Sequence, residues 1–308
     1  MLPNIAIVGN APKDKCELLN NMLAEEELAE LCNIILYGAD GQPEKEALVD
    51  ALQDWRSGRV QGIVCLPFTG GLLNVLKECL GEEATPALPM YVNVNMKMAS
   101  VMGDVEAAEA MANVTKEAIV TRIEQVTDAM KRDFFILNPR IAVAAMNVEK
   151  ANDVDGEGKD VVTEAVEELS QKDISILGPV DTAKFFDLEN RGIYDALVEI
   201  YDAQCMENHV KTTDEDTLTI ISGLHIPIVT GQYEATLRAI FMALDIVRNR
   251  NNYETPFANP LQKLYKERKE DGEKARFTVK KKGFNPAEHR RENVNYTTSA
   301  TPKSSEQA

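Results

Sequence analysis

The sequence predicts an α/β protein with a parallel sheet covered by helices, and three observations predict it. Short apolar runs alternate with amphipathic helix-length stretches three times between residues 5 and 80, the signature of successive strand–helix units. A long amphipathic segment preceded by Thr115 and followed by further apolar runs extends the alternation past residue 115. The chain, at 308 residues and 44% hydrophobic, is long enough for two packed domains with a sizeable core.

The elements follow in order. Ile5 to Val8 is an apolar run ending at Gly9, and Leu18, Leu19, Met22, Leu23, Leu28 and Leu31 lie at helical spacing across Lys13 to Leu31. Asn33 to Tyr37 and a helix around Glu44 to Trp55 form the second unit; Val60 to Leu66 and a helix around Leu72 to Leu80 form the third. Met90 to Val94 begins a new section, after which Thr115 is the N-cap of a helix to about Arg132. Ile141 to Ala145 and Ile174 to Leu177 read as strands. Tyr194 to Tyr201 fits a buried strand or a short helix equally well by periodicity. Leu218 to Ile221 and Ile226 to Val229 are strand material divided by Gly223 and Pro227, and Glu234 to Arg248 is a helix. Beyond Asn251 the pattern stops, and the polar, lysine-rich residues 261–308 read as a disordered basic tail.

Charge divides along the same line. The formal net charge is -17, but residues 261–308 carry 12 Lys/Arg against 7 Asp/Glu, leaving residues 1–260 with 21 against 43. An acidic body repels polyanions, which argues against a broad nucleic-acid surface there and leaves the tail as the segment able to meet RNA, anionic lipid or an acidic protein. No apolar run approaches the roughly 20 residues of a membrane helix, and no basic region followed by an apolar one opens the chain, a pattern expected of a cytoplasmic protein. The five cysteines, Cys16, Cys32, Cys65, Cys79 and Cys205, are scattered without a C-x-x-C pair, so neither a zinc site nor a disulfide framework is indicated. No Walker loop, dinucleotide G-x-G-x-x-G or nucleophile triad is visible.

One stretch carries a family signature. It reads Pro139-Arg-Ile-Ala-Val-Ala-Ala-Met-Asn147, Gly156-Glu157-Gly158, Gly178-Pro179 before Asp181-Thr182, then Tyr194-Asp195-Ala196 through Ile200-Tyr201-Asp202-Ala203-Gln204. This order resembles the 4-hydroxythreonine-4-phosphate dehydrogenase family of vitamin B6 (pyridoxal phosphate) biosynthesis, whose members carry N-P-H-A-G-E-G-G, G-P-x-x-x-D-T and Y-D-A-V-x-x-M-Y-H-D-Q-G. The resemblance is clearest over residues 139–250. It implies two α/β/α domains around a central cleft, with residues 1–85 and 233–260 forming the first and 86–232 the second, and it favours a strand at Tyr194 to Tyr201. It also implies a homodimer, NAD, a divalent metal and a small phosphorylated ligand.

Mapped residue by residue, the resemblance implies a site that this chain has altered. The two motif histidines that ligate the metal in the family fall on Glu149 and Asp202, and the T-H-x-P-L histidine falls in the neighbourhood of Ala99-Ser100-Val101-Met102-Gly103. Two carboxylates can hold a hard cation through oxygen, so Glu149 and Asp202 are the metal candidates. The family's phosphate-holding F-x-G-H-T-E maps to Pro67-Phe68-Thr69-Gly70-Gly71-Leu72, or Leu66-Pro67 maps to its T-G-P-x-x-K turn; in both alignments donors are lost. Thr69, Gly70 and Gly71 remain the phosphate candidates, since a Gly-Gly loop at a helix start presents backbone N–H groups. Lys211 aligns with a substrate-binding lysine of the family if one residue is inserted. His209, His225 and His289, the chain's three histidines, fall outside every ligand position. The expectation is a divergent homologue, non-catalytic or repurposed. The alternatives are an active NAD-dependent oxidoreductase with a carboxylate metal site, and an interaction protein using the tail, where Tyr265, Phe277, Phe284 and Tyr296 interleave with the basic residues.

Overall fold

The computed structural model describes residues 2–10, 16–24, 26–38, 41–67, 71–92, 96–146, 161–172, 174–185, 193–202, 204 and 217–254. The first half follows the predicted alternation: β1 (Asn4–Val8), α1 (Cys16–Leu23), α2 (Glu26–Leu31), β2 (Asn33–Tyr37), α3 (Glu44–Arg56), β3 (Gly62–Cys65) and α4 (Leu72–Leu80). The single helix expected over Lys13 to Leu31 is two, the break falling after Leu23. β4 (Leu88–Val92) starts two residues before the expected Met90, and a short β5 (Lys97–Ser100), too brief to be read from sequence, follows it.

The second half contains α5 (Ala107–Asn113), α6 (Lys116–Asp133), β6 (Arg140–Ala144), α7 (Val161–Ser170), β7 (Ser175–Val180), α8 (Thr182–Phe185) and β8 (Ala196–Glu199). Thr115 caps α6 as expected: its side-chain oxygen accepts the Ala118 N–H at 3.2 Å. The ambiguous stretch around Tyr194 to Tyr201 contributes a strand, β8. The chain then returns through β9 (Leu218–Ser222), β10 (Ile228–Thr230) and α9 (Thr236–Glu254). Gly223, in the turn between these strands, has φ +82°, and a Cβ there would fall 1.9 Å from the Pro86 carbonyl oxygen, so only glycine fits.

The strands form one mostly parallel sheet in the order β2-β1-β3-β10-β9-β4-β5-β8-β6-β7. β9 is antiparallel to both β10 and β4, and β4 is antiparallel to β5; the other adjacent pairs are parallel. β9 is thus a single reversed strand between β10 and β4, and past the β4–β5 junction β5, β8, β6 and β7 all run opposite to β4. β9 and β10, which lie within 86–232, pair beside β3.

Both faces of the first half are buried, as a parallel sheet requires. Ile5 and Ile7 face α9 with Ile240, Ala243 and Ile246, while Ala6 and Val8 face α3 and α4 with Leu48, Leu52 and Leu76. In the second half α6 and α7 cover Ile141, Val143 and Val198 with Ile123, Met130 and Leu169. Each such large side chain contributes about 1.5–3 kcal/mol by leaving water. The opposite face of β5, β6 and β8 carries a smaller apolar group, Met96, Met98, Ala142, Phe185 and Leu197. Cys32 and Cys65 are free and buried in the first half, and burial pushes both thiols up. The expected basic tail lies outside the described residues, and no helix among the described residues is long and apolar enough to cross a membrane.

Candidate functional site at the end of β8

β5 and β8 run parallel with Ser100 opposite Glu199, and the chain beyond each strand stays laced to the other. The N–H groups of Val101 and Met102 donate to the Glu199 and Ile200 carbonyls at 2.8 and 2.9 Å, and the Asp202 N–H donates to the Gly103 carbonyl at 3.0 Å. This lacing fixes the Asp202 side chain over Ser100. The Ser100 hydroxyl donates to Asp202 Oδ1, and the Tyr91 hydroxyl, reaching from β4, donates to Oδ2 at 3.1 Å. Ser100 Oγ in turn accepts the Gly103 N–H at 3.1 Å. Burial and the Asp202 charge push the Tyr91 phenol well up, so it remains a donor. Gln204 ties the β8 end to the β6 end, giving its Nε2–H to the Ala145 carbonyl at 2.7 Å and accepting the Ile200 N–H at 3.0 Å.

Two further charged residues bear on the cluster. Arg122, on α6, donates to the Val101 carbonyl at 3.2 Å; burial pulls its pKa down and the Asp202 charge opposes that pull. Glu199 is fully buried at 0% exposure, and among the described residues neither carboxyl oxygen has a hydrogen-bond partner. Burial first, and the Asp202 charge second, push its carboxyl up to about 9. Glu199 is therefore a neutral acid at pH 7, beside the Asp202 carboxyl held by two hydroxyls.

These residues do not fit the metal centre that the resemblance implies. That centre uses imidazoles; here Ser100 and Asp202, in the two segments that the resemblance aligns with ligand-bearing ones, are hydrogen-bonded to each other. Both Asp202 oxygens already accept hydroxyl protons, and among the described residues no three His, Cys, Asp or Glu side chains come together as a ligand set. Glu149, Asp202's expected companion, lies outside the described residues.

The remaining candidates are placed apart. Gly71 is the N-cap of α4 with φ 88°; Thr69, Gly70 and Lys211 lie outside the described residues. The α4 start follows β3 and the Asp202 cluster follows β8, five strand positions apart in the sheet. At the usual strand spacing of ~4.8 Å this is about 24 Å, too far for one small phosphorylated molecule to touch both within a single chain. His225 is exposed in the β9–β10 connection, where its carbonyl, not its ring, accepts an Arg250 guanidinium proton at 2.7 Å.

Glu199 and Tyr91 were not identifiable as site residues from their motifs. One signal was available for Glu199: it is the sole charged side chain in the apolar run Ala196 to Ile200, and a charge there must be paired or neutralised.

Comparison with known proteins places these observations. The family model for pyridoxal phosphate biosynthetic protein PdxA matches residues 36–233. A 4-hydroxythreonine-4-phosphate dehydrogenase of Bacteroides thetaiotaomicron is 24% identical over 261 residues, covering 76% of this chain and 71% of the relative. Another, from Xanthomonas axonopodis pv. citri, is 29% identical over 217 residues, covering 65% of this chain and 67% of the relative. The crystal structure of a 4-hydroxythreonine-4-phosphate dehydrogenase from Burkholderia phymatum superposes with a TM-score of 0.60 at 16% identity, covering 82% of this chain and 98% of that one, and so shares the fold. With the family model spanning well over half its length, the chain belongs to the PdxA family of pyridoxal phosphate biosynthetic proteins.

Proposed function

We propose that this chain is a divergent PdxA-family member that has lost metal-assisted dehydrogenation and keeps the altered site for binding. The observation that supports this reading is the Ser100–Asp202 hydrogen bond, joined by the Tyr91 hydroxyl, between the two segments that the resemblance aligns with metal-ligating histidines. In the family reaction, as the resemblance implies it, the metal polarises the substrate hydroxyl and stabilises charge during hydride transfer to NAD, worth several kcal/mol of barrier. An aspartate whose oxygens are held by two hydroxyls, flanked by a neutral Glu199, supplies a different charge and a different geometry. The reading carries with it a homodimer, a small phosphorylated or otherwise polar ligand, and the division into 1–85 with 233–260 and 86–232.

The test is a pair of measurements on the full chain. Thermal unfolding is followed with and without NAD, each with divalent metal or chelator. Nicotinamide reduction is then followed with 4-phosphohydroxythreonine. A ligand binding only the folded state at a hundred times its Kd adds about 2.7 kcal/mol, which a melt resolves. The expected result is no metal-dependent NAD reduction. Metal-dependent turnover that disappears in Asp202→Asn would overturn the proposal in favour of an active oxidoreductase with a carboxylate metal site.

A further inference from the structure

Val92 closes β4 and Lys97 opens β5, so the two meet where strand direction reverses across the sheet. Beside them is a cavity of about 330 Å³ between the end of α6, α9 and the sheet. Its apolar wall is Val92, Phe134, Leu218 and Met242. Lys97 and Arg238 reach it as cations, with Lys97 Nζ 5.2 Å from the Phe134 ring centroid. The cavity lies off the carboxyl end of β4 and the amino ends of its antiparallel neighbours β5 and β9.

Both carboxylates that line it are already engaged by other cations. Asp133 lines the cavity, but its oxygens are held by Arg250 at 2.7 and 3.1 Å, by Arg132 and by the Ser222 hydroxyl. Asp245 also lines it and is paired with Arg248 at 2.6 Å. Asp195 acts on Lys97 from a distance, its carboxylate accepting the Arg140 N–H at 2.8 Å. Among the described residues no carboxylate lies in ion-pair range of Lys97, whose half-buried ammonium is disfavoured by desolvation. Among the described residues, then, a cation half-removed from water borders a partly apolar cavity without a carboxylate partner.

We propose that this cavity is a binding site for a small organic anion, a carboxylate or phosphate monoester whose head pairs with Lys97 and whose apolar body lies against Phe134 and Met242. The volume is at the small end of ligand sites and suits a body of about ten non-hydrogen atoms. The site is separate from the Asp202 cluster: along β5 successive side chains alternate faces, and Lys97 and Ala99 point away from Met98 and Ser100.

Phenyl phosphate and benzoate are the probes, with neutral benzyl alcohol as control, each titrated into the full chain by calorimetry and thermal shift. Either anion is expected to bind in the millimolar range or tighter and to raise the melting temperature. Comparison of the two identifies the preferred head group. Lys97→Gln is expected to weaken binding roughly tenfold or more while melting at or above the unsubstituted protein without ligand, because it removes a desolvated charge. Met242→Trp should block binding by filling the space. Asp202→Asn should leave binding unchanged, which separates failure here from failure of the proposed function. The proposal is overturned if benzyl alcohol binds as well as the anions, if Lys97→Gln binds undiminished, if Asp202→Asn abolishes binding, or if neither anion binds at millimolar concentration.

Discussion

At the end of α6 the Asp133 carboxylate, fully buried, collects two Arg250 hydrogen bonds, an Arg132 guanidinium and the Ser222 hydroxyl. At the end of β8 the equally buried Glu199 collects no partner among the described residues. Burial pushes both carboxyls up. At Asp133 the Arg250 and Arg132 guanidiniums outweigh it and hold the group below the ordinary carboxylate range; at Glu199 the Asp202 charge adds to it. One carboxyl is built into the architecture as an ion, and the other is tolerated as a neutral acid. Burial alone thus says nothing about whether an acid stabilises a fold; the partners decide.

The largest expected effect lies on the Asp133 side. Asp133→Asn removes the buried carboxylate that faces the Arg250 guanidinium, only 6% exposed as a residue, and should cost about 3–5 kcal/mol in urea unfolding. Asp133→Leu combined with Arg250→Met should recover much of that loss, since it removes both charges together. If the double variant is as unstable as the single one, the carbonyl contacts of Arg250 to Leu224 and His225 matter more than the ion pair.

Glu199→Met should act in the opposite direction, stabilising the protein by about 2 kcal/mol at pH 8, because an unpartnered polar group is replaced by an apolar one of similar size. The pH dependence separates the two acids further. Glu199 has a folded pKa near 9 against an ordinary value of 4.5, so between these limits the folded state holds a proton that the unfolded state has lost. Its contribution therefore falls as pH rises from about 4.5 to 9, at about 1.4 kcal/mol per pH unit at most. Glu199→Gln should remove that slope. Asp133 has the reverse sign: its contribution is present above its unfolded pKa and is lost as pH falls through the depressed folded one. A stability profile of Glu199→Gln superimposable on the parent between pH 5 and 8 would mean that Glu199 is partnered in solution.

Asp202→Asn should be milder, costing about 1 kcal/mol for a weakened hydroxyl pair. It should also move the Glu199 titration to lower pH by removing the neighbouring charge, read from the same profiles. The smallest effect belongs to an exposed control: Glu168 is paired with Lys116 at 3.0 Å and Lys172 at 3.1 Å, yet water screens all three. Glu168→Gln should melt within the scatter of replicate measurements.

The alternation that builds the sheet was legible because each strand–helix unit records its own periodicity, and Thr115 records its own cap. β5 was not, since four residues carry too little pattern and its pairing with β8 joins Lys97 to Ala196 across the chain. The site was legible in part. The motif order led to Asp202 and to the loss of imidazoles, but the hydroxyl from Tyr91 lies 111 residues away in sequence and belongs to no motif. The Asp133–Arg250 pair spans 117 residues and was likewise invisible. What failed to show was long-range polar pairing, which leaves no local trace; a lone glutamate in an apolar strand did leave one.

The edge of β3 is completed by β10, which the ribosome makes roughly 160 residues later. At typical synthesis rates of about 5–20 residues per second, the nascent first half waits about 8–30 s with that edge unpaired. For that interval the growing chain presents an open strand edge to its neighbours, a template on which another chain can pair.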